Sequence, residues 1–313
     1  MTKIRVRSLL SASFIVVFTF FNATTILADP QPGRFFLMGS GAFHLKNLRN
    51  EKEAQVRLLN RDGSLNEQGF EEVDRVFDFP TEAMGEHISP RMLFMLSYFS
   101  DLVAPGKTIQ IESAYRSPEY NNKIRDKGAN AARTSTHIDG IALDFWIEGV
   151  DGKQLWETVR EKNCCGVGHY GGKIIHFDAG RPRFWEAATS GTKIKEPDYN
   201  RHLYLASDFD RYSLNEKIRL SFSGISTFGF GVKPTVLVYN AADLGKPVGR
   251  VPIQAAGKAD CISLKDHKAS RFLYTTLPSA LPAGRYRVKL EFCEKPFVEM
   301  PDEAVSNEIE VIR

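Results

Sequence analysis

The chain has 313 residues and four cysteines, and its formal net charge is +3 at pH 7. Three cations near the start, Lys3, Arg5 and Arg7, account for this whole excess, because residues 1–28 contain no acidic side chain. The remainder is electrically balanced, which removes the charge-based argument for nucleic-acid binding. A length above the ~100–200 residues of an ordinary domain favours two domains.

Residues 1–28 have the pattern of a secretory signal peptide. A positive start is followed by the apolar stretch Leu9 to Phe21, and Ala28 at a plausible cleavage point precedes Asp29. The apolar stretch is shorter than the ~20 residues needed to span a bilayer. We therefore expect an exported protein without a membrane span once the signal is removed.

Residues 29–192 alternate helical and strand patterns. Ser89 and Ser117 each precede a proline, the signature of a helix N-cap, and the second helix should end near Gly128. A short helix is expected over 154–160, and strands over 109–111, 141–146 and 174–178. The pattern predicts an α+β domain with a small antiparallel sheet, ending in a hairpin that turns at Gly171-Gly172.

Residues 193–313 form the second predicted domain, which follows a polar linker over 190–200. Short alternating segments separated by turn residues predict an all-β sandwich. These segments are 203–206, 218–222, 235–239, 251–253, 262–264, 272–276, 286–292 and 309–312. We expect no catalytic cluster in this domain.

In an oxidising compartment, the four cysteines are candidates for disulfide bonds. Cys261 and Cys293 both lie in strand-like runs of the second domain, so we expect them to bond to each other. Cys164 and Cys165 are neighbours, and a bridge between neighbours departs from ordinary disulfide geometry. Their state is left open.

The chemistry concentrates in the segment from Ser135 to Asp144 and in the later His176. His137 and Asp144 lie seven residues apart, and Gly140 between them lets the chain turn cheaply. A histidine in a strand is more often a core residue than a metal ligand. Here, however, three candidate metal ligands occur together in one pattern. If the strands that carry Asp144 and His176 are neighbours, the three can hold one Zn²⁺, with a fourth position for water, as catalytic zinc requires.

The motif S-x-H-x-x-G-x-A-x-D, the later H-x-D and the upstream segment Ser113–Asn121 together resemble the zinc D-Ala-D-Ala carboxypeptidase and murein endopeptidase family. That family is related in fold to lysostaphin-type peptidases and the hedgehog signalling domain. The resemblance covers residues 40–187. It implies a periplasmic zinc metallopeptidase whose substrates are peptidoglycan peptides, cut either as a carboxypeptidase or as an endopeptidase. It also implies that Arg116 stabilises the oxyanion of the transition state.

The general base is where the sequence departs from many of these relatives, which carry an acid at the position of Lys173. Asp178 shares the strand face of His176 and is one candidate, although it could instead orient that histidine through its other ring nitrogen. His169 is the second candidate: a two-residue turn would set it opposite Ile174, on the face of His176. The sequence leaves these choices open.

Two other classes compete with the peptidase. A binding module that keeps the fold and not the hydrolysis is favoured by the lysine at position 173, and disfavoured by the retained ligand set. A serine hydrolase acting through Ser135 is weak, because no G-x-S-x-G elbow surrounds it. No oligomeric state is predicted.

Overall fold

The computed structural model describes residues 33–128, 131–189, 197–254 and 259–312. The predicted signal peptide lies outside these residues, as does most of the predicted linker. Within the described residues no helix is both long and apolar enough to cross a bilayer.

The first part of the described chain alternates helices and strands up to residue 189. Its elements are β1 Ala42–Asn47, β2 Glu53–Arg57, α1 Glu67–Phe77, α2 Thr81–Met84, α3 Pro90–Val103, β3 Thr108–Ser113, α4 Pro118–Asp126, β4 Ala142–Ile147, α5 Gly152–Lys162, β5 Gly166–His169, β6 Ile175–Asp178 and β7 Arg183–Glu186.

The helix starts follow from local capping. Ser89 accepts a hydrogen bond from the backbone N–H of Met92 at the start of α3, and Ser117 does the same for Tyr120 in α4. Each of these helices begins with proline, which needs no N–H partner at that position. Both predicted helix starts are confirmed.

The strands form one seven-stranded sheet in the order β2-β1-β3-β4-β6-β5-β7. The prediction of a small antiparallel sheet is wrong, because β1 pairs with β3 and β5 pairs with β7 in parallel. The parallel β1–β3 pair is possible because α1, α2 and α3 carry the chain from one strand to the other.

Helices cover one face of this sheet. Alternate residues of the strands, such as Leu45, Ile111 and Phe177, are buried in a core shared with α1, α3 and α5. Asp144 and His176 belong to the opposite face. The site is therefore built on the face of the sheet that points away from this helical core.

The described chain from residue 197 onward is rich in strands. Its elements are β8 Tyr204–Ser207, β9 Arg211–Ser213, β10 Lys217–Ser223, β11 Phe230–Asn240, β12 Gly249–Pro252, β13 Ile262–Leu264, α6 His267–Arg271, β14 Leu273–Thr276, β15 Gly284–Glu294, β16 Glu303–Val305 and β17 Ile309–Ile312.

These strands form two sheets that contribute to one hydrophobic core. The smaller sheet has the order β14-β10-β8. The larger has the order β12-β11-β15-β17-β9, with β13 paired to β11 and β16 to β15. Each of the eight predicted strands overlaps an observed one. The short β9 and β16 were not predicted.

Contacts join this β-rich region to the first part of the chain. Glu86 binds Arg219 at 2.6 Å and Arg271 at 2.7 Å, and its side chain is almost fully buried. Burial opposes ionisation of Glu86, but the two guanidinium groups outweigh it and hold its pKa below the usual range. Phe209 packs against both hydrophobic cores.

The structure pairs Cys261 with Cys293, whose Cα atoms lie 5.9 Å apart. It also pairs the adjacent Cys164 and Cys165, whose state the sequence left open.

Candidate metal centre

Two neighbouring strands place Asp144 and His176 side by side. β4 pairs with β6 in antiparallel register, and Asp144 lies directly opposite His176. Opposed residues in such a pair point to the same face with their Cβ atoms close together. The condition on which convergence of the three candidate ligands depended, that these two strands are neighbours, is met.

A turn delivers His137 to the same place. Gly140 has a φ of +66°, and a Cβ there would lie 2.5 Å from the ring of Phe79, so only glycine fits. The backbone carbonyl of Gly140 accepts a hydrogen bond from the N–H of Ser89, and that of His137 accepts one from Arg116. The predicted turn at Gly140 is thus hydrogen-bonded to two neighbouring segments of the chain.

Hydrogen-bond partners outside the site determine which ring nitrogen of each histidine carries the proton. Nδ1 of His137 donates to the backbone carbonyl of Ala114 at 2.6 Å, and Nε2 of His176 donates to Asp178 at 2.7 Å. A carbonyl and an ionised carboxylate can only accept. In the neutral imidazoles, Nε2 of His137 and Nδ1 of His176 therefore both present lone pairs to the interior of the site.

Three lone-pair atoms converge there. Nε2 of His137 lies 3.2 Å from Oδ1 of Asp144 and 3.3 Å from Nδ1 of His176. The remaining edge, between Nδ1 of His176 and Oδ1 of Asp144, is 3.0 Å. Ligands bound tetrahedrally to zinc at 2.0–2.1 Å are separated by about 3.3 Å. The donor set therefore fits Zn²⁺, and it is the group of side chains that meets the geometry of a metal site within the described residues.

Electrostatics favour the ionised ligand. Burial opposes the charge on Asp144, but the charges and hydrogen bonds of His137 and His176 outweigh it and hold the pKa of Asp144 well below its usual range. Burial also lowers the pKa of His137, which favours the neutral imidazole that a metal requires.

Asp178 faces the outer side of His176. It is fully buried, and it accepts hydrogen bonds from Nε2 of His176, from both terminal nitrogens of Arg183 and from the N–H of Gly180. Burial raises the pKa of this carboxyl, but Arg183 and His176 outweigh it and lower the pKa strongly. The sequence placed Asp178 on the face of His176, and its carboxylate contacts the outer ring nitrogen of that histidine.

The predicted placement of His169 is wrong. His169 pairs with Ile175, whereas Gly168 is the residue opposite His176. The connection after Tyr170 is longer than a two-residue turn, since the N–H of Tyr170 bonds to the carbonyl of Ile174. A one-residue shift turns a side chain to the other face of a sheet. Nε2 of His169 instead lies 3.1 Å from the carbonyl oxygen of Gly172.

Arg116 lies at the metal centre, as the family resemblance implied. Its Nη2 donates to Oδ2 of Asp144 at 2.5 Å and its Nε donates to Ser113 at 2.9 Å. Nη1 makes no hydrogen bond to the described residues. The guanidinium is 9% exposed, so its orientation is fixed by these contacts.

Tyr170 is a site residue that the sequence reasoning missed. Its hydroxyl donates to Oδ1 of Asp144 at 3.0 Å. Burial and the nearby Asp144 charge raise the pKa of this phenol, so it remains a donor. The sequence feature that could have identified Tyr170 is its position just before Gly171-Gly172, at the end of the strand that pairs with the strand of His176. Gly168 contributes too, because a Cβ there would clash with Trp185, whose ring packs 5.0 Å from that of His176.

Two openings adjoin the metal centre, and Arg116 and Tyr170 line both of them. A groove of about 430 Å³ is also lined by Arg49, Glu112 and Asp144, among others. A narrower cleft of about 70 Å³ includes His137, His176 and Trp185.

A sheet-borne site with two oriented imidazoles, one ionised carboxylate and an arginine beside them defines a zinc-type metallopeptidase domain. Residues 39–185 match the peptidase M15 family model described as peptidoglycan L,D-endopeptidase MepK. This segment, just under half of the chain, is similar to the M15 family of zinc peptidases.

Two relatives illustrate the similarity. The peptidoglycan L,D-endopeptidase MepK of Escherichia coli strain K12 is 27% identical over 143 residues, which is 45% of this chain and 78% of that protein. The probable peptidoglycan L,D-endopeptidase MepK of Haemophilus influenzae is 34% identical over 79 residues, 25% of this chain and 42% of that protein.

A solved structure of SGBP-B from the Bacteroides ovatus mixed-linkage glucan utilization locus, in complex with mixed-linkage heptasaccharide, overlaps 55% of this chain and 29% of its own, at 13% identity. Its TM-score is 0.19, and a similarity this weak carries no argument about fold or function.

Proposed function

We propose that this chain is an exported, zinc-dependent peptidoglycan endopeptidase that hydrolyses amide bonds between residues of L and D configuration. The observation that carries the proposal is the convergence of three lone-pair atoms from His137, Asp144 and His176, with edges of 3.0 to 3.3 Å, in a segment similar to the M15 family. The bond type is that named for both relatives.

Zinc held by these three residues would act as a Lewis acid on the scissile carbonyl and on the attacking water. Arg116 and Tyr170 would then supply hydrogen bonds to the negative charge that develops on the carbonyl oxygen. Two features support this. Arg116 lines both openings with Nη1 unpaired within the described residues, and the phenol of Tyr170 stays protonated.

For Asp178 we propose the orienting role rather than that of general base. Its oxygens already accept from His176, Arg183 and Gly180, and its strongly lowered pKa makes it a poor proton acceptor. His169 is not proposed as the base, because its strand register turns it away from His176. Lys173 cannot replace the acid of other relatives; its ammonium lies 3.3 Å from the ring centre of Trp146.

Internal cleavage is favoured over removal of a terminal residue because both relatives are named endopeptidases. The groove of about 430 Å³ lined by Arg116 and Tyr170 leaves room for peptide beside the scissile bond. We further propose residues 1–28 as the signal peptide of a periplasmic protein, 29–192 as the peptidase domain and 193–313 as a β-sandwich accessory domain.

The test is zinc analysis together with digestion of purified cross-linked muropeptides. One zinc per chain and release of monomers, both lost in His137→Ala and His176→Ala, would support the proposal. A zinc-loaded, folded protein that binds muropeptides without cutting them would instead establish the binding module. Absence of zinc from the wild-type protein would contradict both the site and the activity.

A further inference from the structure

The larger opening beside the metal centre contains a carboxylate that the proposed hydrolysis does not use. Glu112 is the next-to-last residue of β3, two strands from His176, and lines the 430 Å³ groove together with Asp144 and Arg116. It lies on the face of the sheet that carries the metal centre, because it accepts a hydrogen bond from Trp146, which shares its face of β4 with Asp144.

Glu112 is held in one orientation. The indole N–H of Trp146 donates to its Oε1 at 3.0 Å. Trp146 is itself covered by the ammonium of Lys173, which lies 3.3 Å from the ring centre. The carboxylate is thus fixed by a rigid neutral partner, and rigid placement reduces the entropy lost when a ligand binds.

Glu112 lacks a protein counter-charge within the described residues. Arg116, which lines the same groove, forms its ion pair with Asp144 and a hydrogen bond with Ser113. Arg49, which lines the same groove, donates to the hydroxyl of Tyr120. No ion pair of the described chain includes Glu112, and its Oε2 accepts no hydrogen bond there. A partly buried carboxylate gains from a charge partner, and the groove leaves that position to a ligand.

We propose that Glu112 is a specificity residue that binds a primary ammonium group on the substrate, one or two residues from the scissile amide. This inference rests on the proposed function for its substrate class, peptidoglycan peptides, and assigns the chemistry of one subsite. An ammonium offers three donors for the free oxygen of Glu112 and for nearby carbonyls, whereas an acetylated amine loses both its charge and two of the donors.

The test measures binding separately from hydrolysis. The probes are a cross-linked muropeptide with its free amines and the same compound after N-acetylation. Both are titrated calorimetrically into the full chain after zinc is removed with a chelator. The wild-type protein should bind the free-amine compound at least about 10-fold more tightly, and Glu112→Gln should abolish this preference. Glu53→Gln is the control, because Glu53 lies on β2 and already has His44 and Lys46 as partners.

Steady-state kinetics on the zinc-loaded protein add a second readout. Glu112→Gln should raise KM about 10-fold for the free-amine substrate with little change in kcat, and leave the acetylated substrate unaffected. Equal binding of both compounds by the wild-type protein would overturn the inference. So would an equal loss for both compounds in Glu112→Gln. If discrimination in binding is present and hydrolysis is absent, the inference stands and the proposed function fails.

Discussion

The carboxylate of Asp139 accepts a hydrogen bond from the backbone N–H of Gly224 at 3.0 Å. Asp139 lies in the turn between the ligands His137 and Asp144, whereas Gly224 follows β10 of the C-terminal region. The β-rich region therefore contacts the turn that sets the relative position of two ligands. Through this turn it can affect the geometry of the metal centre without contacting the ligands themselves.

Removal of this contact should loosen the metal site. In Asp139→Ala, we expect zinc affinity to fall on the order of 10-fold, because residues that fix ligand orientation affect metal binding at this scale. Asp139→Asn keeps an acceptor oxygen and should lose less. Chelator competition provides the measurement, with the exposed turn residue Asp243 changed to alanine as control. Wild-type affinity in a folded Asp139→Ala protein would show that the contact does not reach the metal.

The role of Asp178 can be separated from that of a base by replacing it with asparagine. Asp178→Asn removes the charge that orients His176, so zinc affinity should fall by about 10–100-fold and excess zinc should partly restore turnover. His169→Ala, on the other face of the hairpin, should retain both zinc and turnover. If Asp178→Asn retains zinc with wild-type affinity and hydrolysis is lost, Asp178 acts as the base.

Arg116 should affect the catalytic rate more than metal content. Arg116→Ala removes a donor aimed at the site, and loss of one oxyanion donor typically lowers kcat by about 100-fold. Arg116→Lys keeps the charge but not the fork that binds Asp144 and Ser113, so it should recover only part of the rate. The two variants are compared by single-turnover digestion at matched zinc content. Unchanged turnover in zinc-loaded Arg116→Ala would leave Arg116 a purely structural role.

The sequence carried enough information to predict the parts of the site that depend on local pattern. The spacing from His137 to Asp144 needs only a turn at Gly140 and a strand after it, and both are present. The pairing of Asp144 with His176 required in addition that their two apolar strands be neighbours, which the structure shows.

Features set by turn length or by distant segments were not predictable. His169 was expected on the face of His176, but Tyr170 lies there instead. One residue of turn length changes the face on which a side chain lies. The parallel β1–β3 pair depends on how three helices pack, which no window of sequence displays. The contact from Asp139 to Gly224 joins residues 85 positions apart in the chain.

The pairing of Cys261 with Cys293 should stabilise the β-rich region. The two residues are 32 positions apart, and closing a loop of this size stabilises a fold by ~2–4 kcal/mol. The double variant Cys261→Ser/Cys293→Ser should show a loss of this size in urea unfolding, and reductant should have the same effect on the wild-type protein. Mass mapping of the unreduced protein checks the bond directly, and free thiols at both positions would contradict it.

His87 gives the fold a pH-dependent contribution at a distance from the metal. Its Nδ1 lies 2.5 Å from Oδ2 of Asp74 and its Nε2 lies 2.7 Å from Oε1 of Glu67. Burial lowers the pKa of His87, but its hydrogen bonds to Glu67 and Asp74 outweigh burial and raise that pKa above 6.5. A raised folded-state pKa stabilises the protein fully below the unfolded value of about 6.5, and this contribution disappears as pH rises through the folded value.

His87→Gln should therefore be less stable than the wild-type protein at pH 6, and the difference should narrow steadily toward pH 8.5. Urea midpoints across this range measure it. His202→Gln is the control, because His202 is largely exposed beside Asp198 and its replacement should change stability little. A stability difference for His87→Gln that stays constant with pH would mean that His87 contributes packing and hydrogen bonds without a change in protonation.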